Sequence, residues 1–285
     1  MDSLYKTEQG KSEILNLYDA KLKELNIKYQ YKTIDTNYGK TNIIISGDSQ
    51  NPPIIIIHGS NGCAPVALET YPNLSKSFRV YAIDVLAQPN KSAEIRLNMK
   101  DDSYGKWINE IIDSLKIDNV IMTGFSFGGL VILKTLEFNE CKIKEVYLSA
   151  PAYIVNGNPL KALFKIFIPM KRFMITKNLK FVEKLLSEIF TEHNEFAVKY
   201  MSKVFLHFSM DFKSLPVINK IKANSIKTPI TLIGAKNDIL FPGKKMIKRA
   251  SLIFPSLKVH ILLQSSKHVP SKKDNQMIEN IILNK

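Results

Sequence analysis

The sequence predicts an α/β protein built on a mostly parallel sheet, with helices on both faces and a helical insertion between two halves of the core. Three observations point there. Residues 54–57 (four isoleucines), 79–84, 120–122 and 230–233 form short runs centred on apolar and β-branched side chains, as strands buried on both faces require. Helical patterns alternate with these runs, so successive strands need crossover connections and lie parallel. From residue 153 to about 227 that rhythm stops, and only helical spacing is found.

In chain order, residues 30–35 and 41–46 read as opening strands joined by the turn Asn37-Tyr38-Gly39. Pro52-Pro53 introduces the strand 54–57, which ends in His58-Gly59-Ser60-Asn61-Gly62. A helical stretch through Leu74 leads to the strand 79–84, with Asp84 at its C-terminal end, and Pro89-Asn90 breaks the next loop. Over 101–115, Trp107, Ile108, Ile111, Ile112 and Leu115 fall on one face of a helix, with charge opposite. An apolar run from Val120 ends in Gly124-Phe125-Ser126-Phe127-Gly128, and Leu130, Val131, Leu133 and Leu136 then follow helical spacing. Residues 143–149 form a further strand, closing in Ala150-Pro151-Ala152. In the insertion Phe164, Phe167, Met170 and Phe173, then Phe181, Leu185 and Phe190, recur at helical spacing. The rhythm resumes with the strand at 230–233, a helix from about Gly243, a strand at 259–263 and a closing helix near 275–283. The expected layout is therefore a core segment 1–152, a helical cap 153–227 and a second core segment 228–285.

Composition narrows the class. Residues 1–11 are polar and lack an apolar leader segment, and the apolar strands are far too short to cross a bilayer. Cys63 and Cys141 are widely separated, which suits free thiols in a reducing interior and no metal site. The expectation is a soluble, cytoplasmic protein. The net charge of +14 comes from lysine spread along the whole chain. No nucleic-acid module or localised basic cluster accompanies it, so it reads as a solvated basic surface and not as a nucleic-acid partner.

The chemistry centres on Gly124-Phe125-Ser126-Phe127-Gly128. The glycines permit a very tight turn from strand to helix, which holds Ser126 at a strained bend beside the positive end of the following helix. A serine hydroxyl is a poor nucleophile at neutral pH and needs a base, itself oriented by an acid. On an α/β sheet these follow the serine in the order acid, then histidine. His268, in the loop past the last strand, is the expected base; His260 lies inside that strand, and His193 and His207 belong to the insertion. The acid should leave the end of the preceding strand, where Asp238 carries the one carboxylate. The developing oxyanion needs two backbone N–H donors, and Phe127 and Ser60 are placed to supply them. His58 braces its loop, Asp84 braces the loop after its own strand, and Cys63 reads as a small buried packing residue.

Together the His-Gly loop at 58–59, Asp84 followed by Asn90-Lys91-Ser92, the stretch 124–129, Asp238 with Pro242 four residues on, and His268 resemble the α/β-hydrolase superfamily, in particular its bacterial carboxylesterase-like serine hydrolases. The resemblance runs from about residue 30 to the end. It implies the α/β-hydrolase fold, a triad of Ser126, Asp238 and His268, oxyanion donors at Ser60 and Phe127, and no cofactor. Two departures stand out. The Gly-x-x-Asp spacing is one residue longer here, which brings Asn237 into the acid's usual place, though only Asp238 is charged. The glycines common in the loop after Asp84 are also absent.

The expected activity is hydrolysis of carboxylic esters through an acyl-enzyme, with a small-molecule ester as partner. The Phe-rich insertion suggests small to medium apolar acyl or aryl groups. One alternative is a lysophospholipase- or monoacylglycerol-lipase-like enzyme whose Lys-studded pattern from 160 to 184 rests on an anionic membrane; membrane contact is not the favoured reading. The other is a ligand-binding protein on the same fold that does not turn over.

Overall fold

The computed structural model of the protein describes residues 3–284. Residues 1–2 and 285, the outer ends of the two expected core segments, lie outside the described residues. The chain opens with α1 (Glu8–Glu24), a helix that the sequence reading does not contain. Ile14, Tyr18 and Leu22 recur at i, i+4 and i+8 on its buried face, and the Thr7 hydroxyl caps it by accepting from Gly10 N–H at 3.0 Å. The strands β1 (Tyr29–Thr36), β2 (Gly39–Ser46) and β3 (Pro53–Ile57) follow, then α2 (Ala64–Thr70), α3 (Leu74–Ser77), β4 (Arg79–Ile83), α4 (Ser103–Leu115), β5 (Val120–Phe125), α5 (Phe127–Phe138) and β6 (Ile143–Ser149).

Between β6 and the next strand the chain makes a helical excursion. It comprises α6 (Pro159–Ala162), which continues through a π-helical turn (Leu163–Phe167) into α7 (Ile168–Thr176), then α8 (Lys180–Ile189), α9 (Glu195–His207) and α10 (Lys220–Ser225). The chain closes with β7 (Ile230–Ala235), α11 (Gly243–Ile253), β8 (Leu257–Leu263) and α12 (Lys272–Leu283).

One eight-stranded sheet runs in the order β1-β2-β4-β3-β5-β6-β7-β8. β2 is antiparallel to both neighbours, and every pairing from β4 to β8 is parallel. The four isoleucines of β3 show how the sheet divides its surroundings. Side chains alternate along a strand, so Ile55 and Ile57 join the core under α4, α5 and α11, while Ile54 and Ile56 join the core under α1, α2 and α12. Trp107 is fully buried in the first of these, with its indole N–H donating to the Thr41 hydroxyl at 2.8 Å.

The phenylalanine pattern of the excursion divides in two. Met170, Phe173 and Leu185 pack with Val182, Leu186 and Phe205 in a core of the excursion's own, while Phe164 and Phe167 are exposed. The stripe is therefore partly internal packing and partly surface, and it does not by itself define a substrate pocket.

Candidate active site

The C-terminal ends of the parallel strands collect the chemistry, as open α/β sheets commonly do. Ser126 follows β5 directly and precedes α5, with φ 53° and ψ −113°. A non-glycine residue in that region costs about 1–3 kcal/mol, so the surroundings must hold it there. Its N–H donates to Ser149 O at 3.0 Å, and its carbonyl accepts from Gly129 and Ala152 N–H at 3.0 and 2.9 Å. The flanking glycines allow the turn by proximity: a Cβ on Gly124 would come within 2.8 Å of the Gly128 backbone, and one on Gly128 would run into the Ile57 carbonyl.

His268 follows β8, and its Nε2 lies 3.0 Å from Ser126 Oγ. Its Nδ1 lies 2.8 Å from Asp238 Oδ2. The other carboxylate oxygen of Asp238 accepts from Leu240 and Phe241 N–H at 2.7 and 2.9 Å, which fixes the side chain in the turn after β7. A carboxylate facing Nδ1 requires a proton there, leaving Nε2 free to accept from the serine. The rings of Phe125 and Phe241 stand 4.9 and 5.4 Å from the imidazole centroid, and all three polar side chains are buried, Ser126 only 7% exposed.

Asn237 is turned elsewhere: its N–H donates to Ser266 O and its amide to Ser265 O, at 3.1 and 3.2 Å. His260 is exposed on β8, and His193 and His207 sit in the excursion.

The excursion also holds the loop of His268. Thr191 Oγ1 donates to Val269 O at 2.7 Å and accepts from Lys267 N–H at 3.0 Å, so one hydroxyl bridges both neighbours of the histidine. Sequence reading missed this residue, because the partners are 76 and 78 positions apart and no local spacing signals the contact. Thr191→Val is expected to lower kcat about 10- to 100-fold through misplacement of His268, while Thr191→Ser retains most activity. Steady-state kinetics on both variants decide it: a purely structural role would lower the melting temperature of the valine variant and leave its kcat intact.

The loop after β3 forms the other wall. A Cβ on Gly59 would stand 3.3 Å from the Ser126 Cβ, so this loop abuts the serine. The N–H groups of Ser60 and Phe127 donate to no acceptor among the described residues. His58 braces the loop: Nδ1 donates to Gly59 O at 2.8 Å, and Nε2 accepts from Val85 N–H at 3.0 Å. Asp84 ties the same region together, accepting from Tyr18 O–H, Asn42 Nδ2 and Ala64 N–H at 2.8–2.9 Å. Tyr18 brings α1 into this network. Cys63 is fully buried there. The loop after β4 has no glycine, and Ala87 takes the positive φ of 56° that a glycine would adopt more cheaply.

Burial pushes Asp84 up from 3.8 to about 6, against the hydrogen bonds that favour its charge, and pushes His58 down from 6.5 to about 4. The consequences for stability oppose each other. In the folded chain Asp84 keeps a proton that the unfolded chain has lost, so its share of stability falls as pH rises from 3.8 to about 6. His58 stays neutral in the fold where the unfolded chain is protonated, so its share rises with pH from about 4 to 6.5. Each slope reaches about 1.4 kcal/mol per pH unit, and the two offset. Asp84→Asn is expected to leave the His58 rise unopposed, so the variant's unfolding free energy climbs across this window while that of the wild type stays flatter. Denaturant titrations over a series of pH values read the difference; parallel curves would refute it.

Comparison with known proteins agrees with this architecture. The α/β hydrolase fold family matches residues 52–190. The uncharacterized carboxylesterase nap of Bacillus subtilis (strain 168) is 29% identical over 147 residues, 50% of this chain and 46% of that protein. Carboxylesterase YbfK of the same organism is 30% identical over 138 residues, 47% of this chain and 46% of its own length. The matched stretch thus spans about half the length of these relatives. Over whole chains, the crystal structure of naproxen esterase (carboxylesterase NP) from Bacillus subtilis superimposes with a TM-score of 0.84 at 20% identity, covering 98% of both chains. That of carboxylesterase CesB (YbfK) gives 0.82 at 19% identity, covering 97% and 98%. Among the described residues no helix is long and apolar enough to cross a membrane. With its sheet order, its Gly-x-Ser-x-Gly turn and these likenesses, the chain has the α/β-hydrolase fold and is similar to bacterial carboxylesterases.

Proposed function

We propose that the protein is a serine hydrolase that cleaves carboxylic esters through an acyl-enzyme. The observation that carries this reading is the continuous hydrogen-bonded line from Asp238 through His268 to Ser126. Ser126 Oγ attacks the ester carbonyl carbon as its proton passes to His268 Nε2, and the carbonyl oxygen gains negative charge. The N–H groups of Phe127 and Ser60 stabilise that charge; each such donor contributes about 2.7–4 kcal/mol to the transition state. Collapse expels the alcohol, which takes the proton from His268. Water then attacks the acyl-serine with His268 again as base, releasing the acid and restoring the serine. No cofactor enters these steps.

The same reading makes residues 153–227 a cap over the strand ends, coupled to the histidine loop through Thr191. For the substrate we propose small to medium apolar acyl or aryl esters. Support comes from the Phe125 and Phe241 rings beside His268 and from the carboxylesterase names of the relatives. A series of p-nitrophenyl esters of increasing acyl length, together with labelling by a fluorophosphonate, tests the proposal. Turnover with a chain-length optimum and covalent modification of the Ser126 peptide in mass spectrometry are the expected results. A folded protein that is neither labelled nor active on any member of the series would overturn it.

A further inference from the structure

Outside the site, exposed apolar side chains concentrate at the start of the helical excursion. Leu160, Leu163, Phe164 and Phe167 recur at i, i+3, i+4 and i+7, the spacing of one helix face, and all four are exposed, Phe164 to 64%. Phe212, also exposed, extends the patch and meets Phe167 edge-on at 5.7 Å. Ile175 and Leu179 add further exposed apolar surface along the same segment. A helix at the surface of a globular protein normally turns such a face inward. Here the excursion's own core is completed by Met170, Phe173, Leu185 and Phe205, and the outer face has no partner among the described residues.

Charge decides what fits it. Residues 158–184 carry seven Lys and Arg side chains against one carboxylate, Glu183. Lys161 and Lys165 are exposed and alternate with the apolar positions; Lys165 pairs with Glu188 at 2.7 Å, so Lys161 is the cation that the patch itself presents. A second copy of this chain would oppose cation to cation. A layer of acidic lipid headgroups answers both features: the leucines and phenylalanines enter the boundary between headgroups and acyl chains, and the lysines meet phosphate.

We propose that the face formed by Leu160, Leu163, Phe164, Phe167 and Phe212, with the lysines around it, docks on an anionic lipid surface. The face begins close to the candidate site: Gly157 N–H donates to Leu240 O at 2.6 Å, two residues past Asp238. Docking requires no ester hydrolysis and is tested apart from it.

The test is co-sedimentation with phosphatidylcholine vesicles containing phosphatidylglycerol, at low and high salt. The wild type and Ser126→Ala are both expected to pellet at low salt, with binding reduced about 10-fold or more when salt screens the charges. Phe164→Glu is expected to reduce the bound fraction on the order of 10- to 100-fold, and Lys161→Glu about 10-fold. An unaltered thermal unfolding midpoint shows that each variant is folded; Leu160→Glu, at a second exposed position, replaces one that is not. Three results overturn the proposal: no pelleting of the wild type at low salt, equal pelleting with pure phosphatidylcholine, or equal binding by Phe164→Glu. Concentration-dependent self-association in sedimentation velocity, abolished by Phe164→Glu, would overturn it in favour of a second copy as the occupant.

Discussion

Ser126→Ala is expected to lower kcat for p-nitrophenyl esters by about 10⁶-fold while leaving the protein folded. The size follows from the arrangement. Among the described residues Ser126 Oγ is the one hydroxyl hydrogen-bonded to His268 Nε2, so the proposed mechanism has no second hydroxyl there to activate. Removing Oγ deletes a single buried hydrogen bond, worth about 0.5–1.5 kcal/mol. Alanine at position 126 inherits the same positive φ, and the bonds that hold the turn come from its backbone and from Ser149, Gly129 and Ala152. The variant should therefore melt close to the wild type. Comparing the two on one ester, with thermal unfolding as the control, separates chemistry from folding. Equal and measurable turnover by both proteins would move the reaction away from Ser126.

The Ser126 turn was legible in the sequence because its cause is local. Two glycines at fixed offsets, an apolar run before them and helical spacing after them are all contained within residues 120–136. The meeting of Asp238 and His268 with Ser126 was legible for a topological reason: strands of a parallel sheet end on one side, so residues just past β7 and β8 arrive beside the turn after β5. What stayed hidden depends on contacts between distant segments. Tyr18 reaches Asp84 across 66 positions, and α1 escaped notice although Ile14, Tyr18 and Leu22 marked its buried face. Thr191 reaches the loop of His268 with no pattern to announce it. Ala87 takes a positive φ in the loop where the resemblance led one to look for glycine. The phenylalanine pattern of the insertion was visible as a pattern, yet its division between internal core and open surface is set by how α7, α8 and α9 pack.

Asp238→Asn is expected to lower kcat about 10⁴-fold with little change in the surrounding geometry. The asparagine Oδ1 can still accept from Leu240 and Phe241 N–H, so the turn after β7 keeps its shape. Its Nδ2 then faces His268 Nδ1, and two donors cannot share one hydrogen bond. The imidazole answers by moving its proton to Nε2, which points a donor at Ser126 Oγ where the reaction needs an acceptor. The loss is thus one of tautomer, and it should fall in kcat far more than in KM. The extra residue in the Gly-x-x-Asp spacing makes a second variant informative. Asn237→Asp placed in the Asp238→Asn background supplies a carboxylate one residue earlier, at a position whose backbone and amide are bound to Ser266 and Ser265. It should not restore activity. Recovery of turnover in that double variant would transfer the role to position 237 and sink the assignment to Asp238. Failure of both variants, with fluorophosphonate labelling slowed in parallel, is what a carboxylate acting through His268 Nδ1 requires.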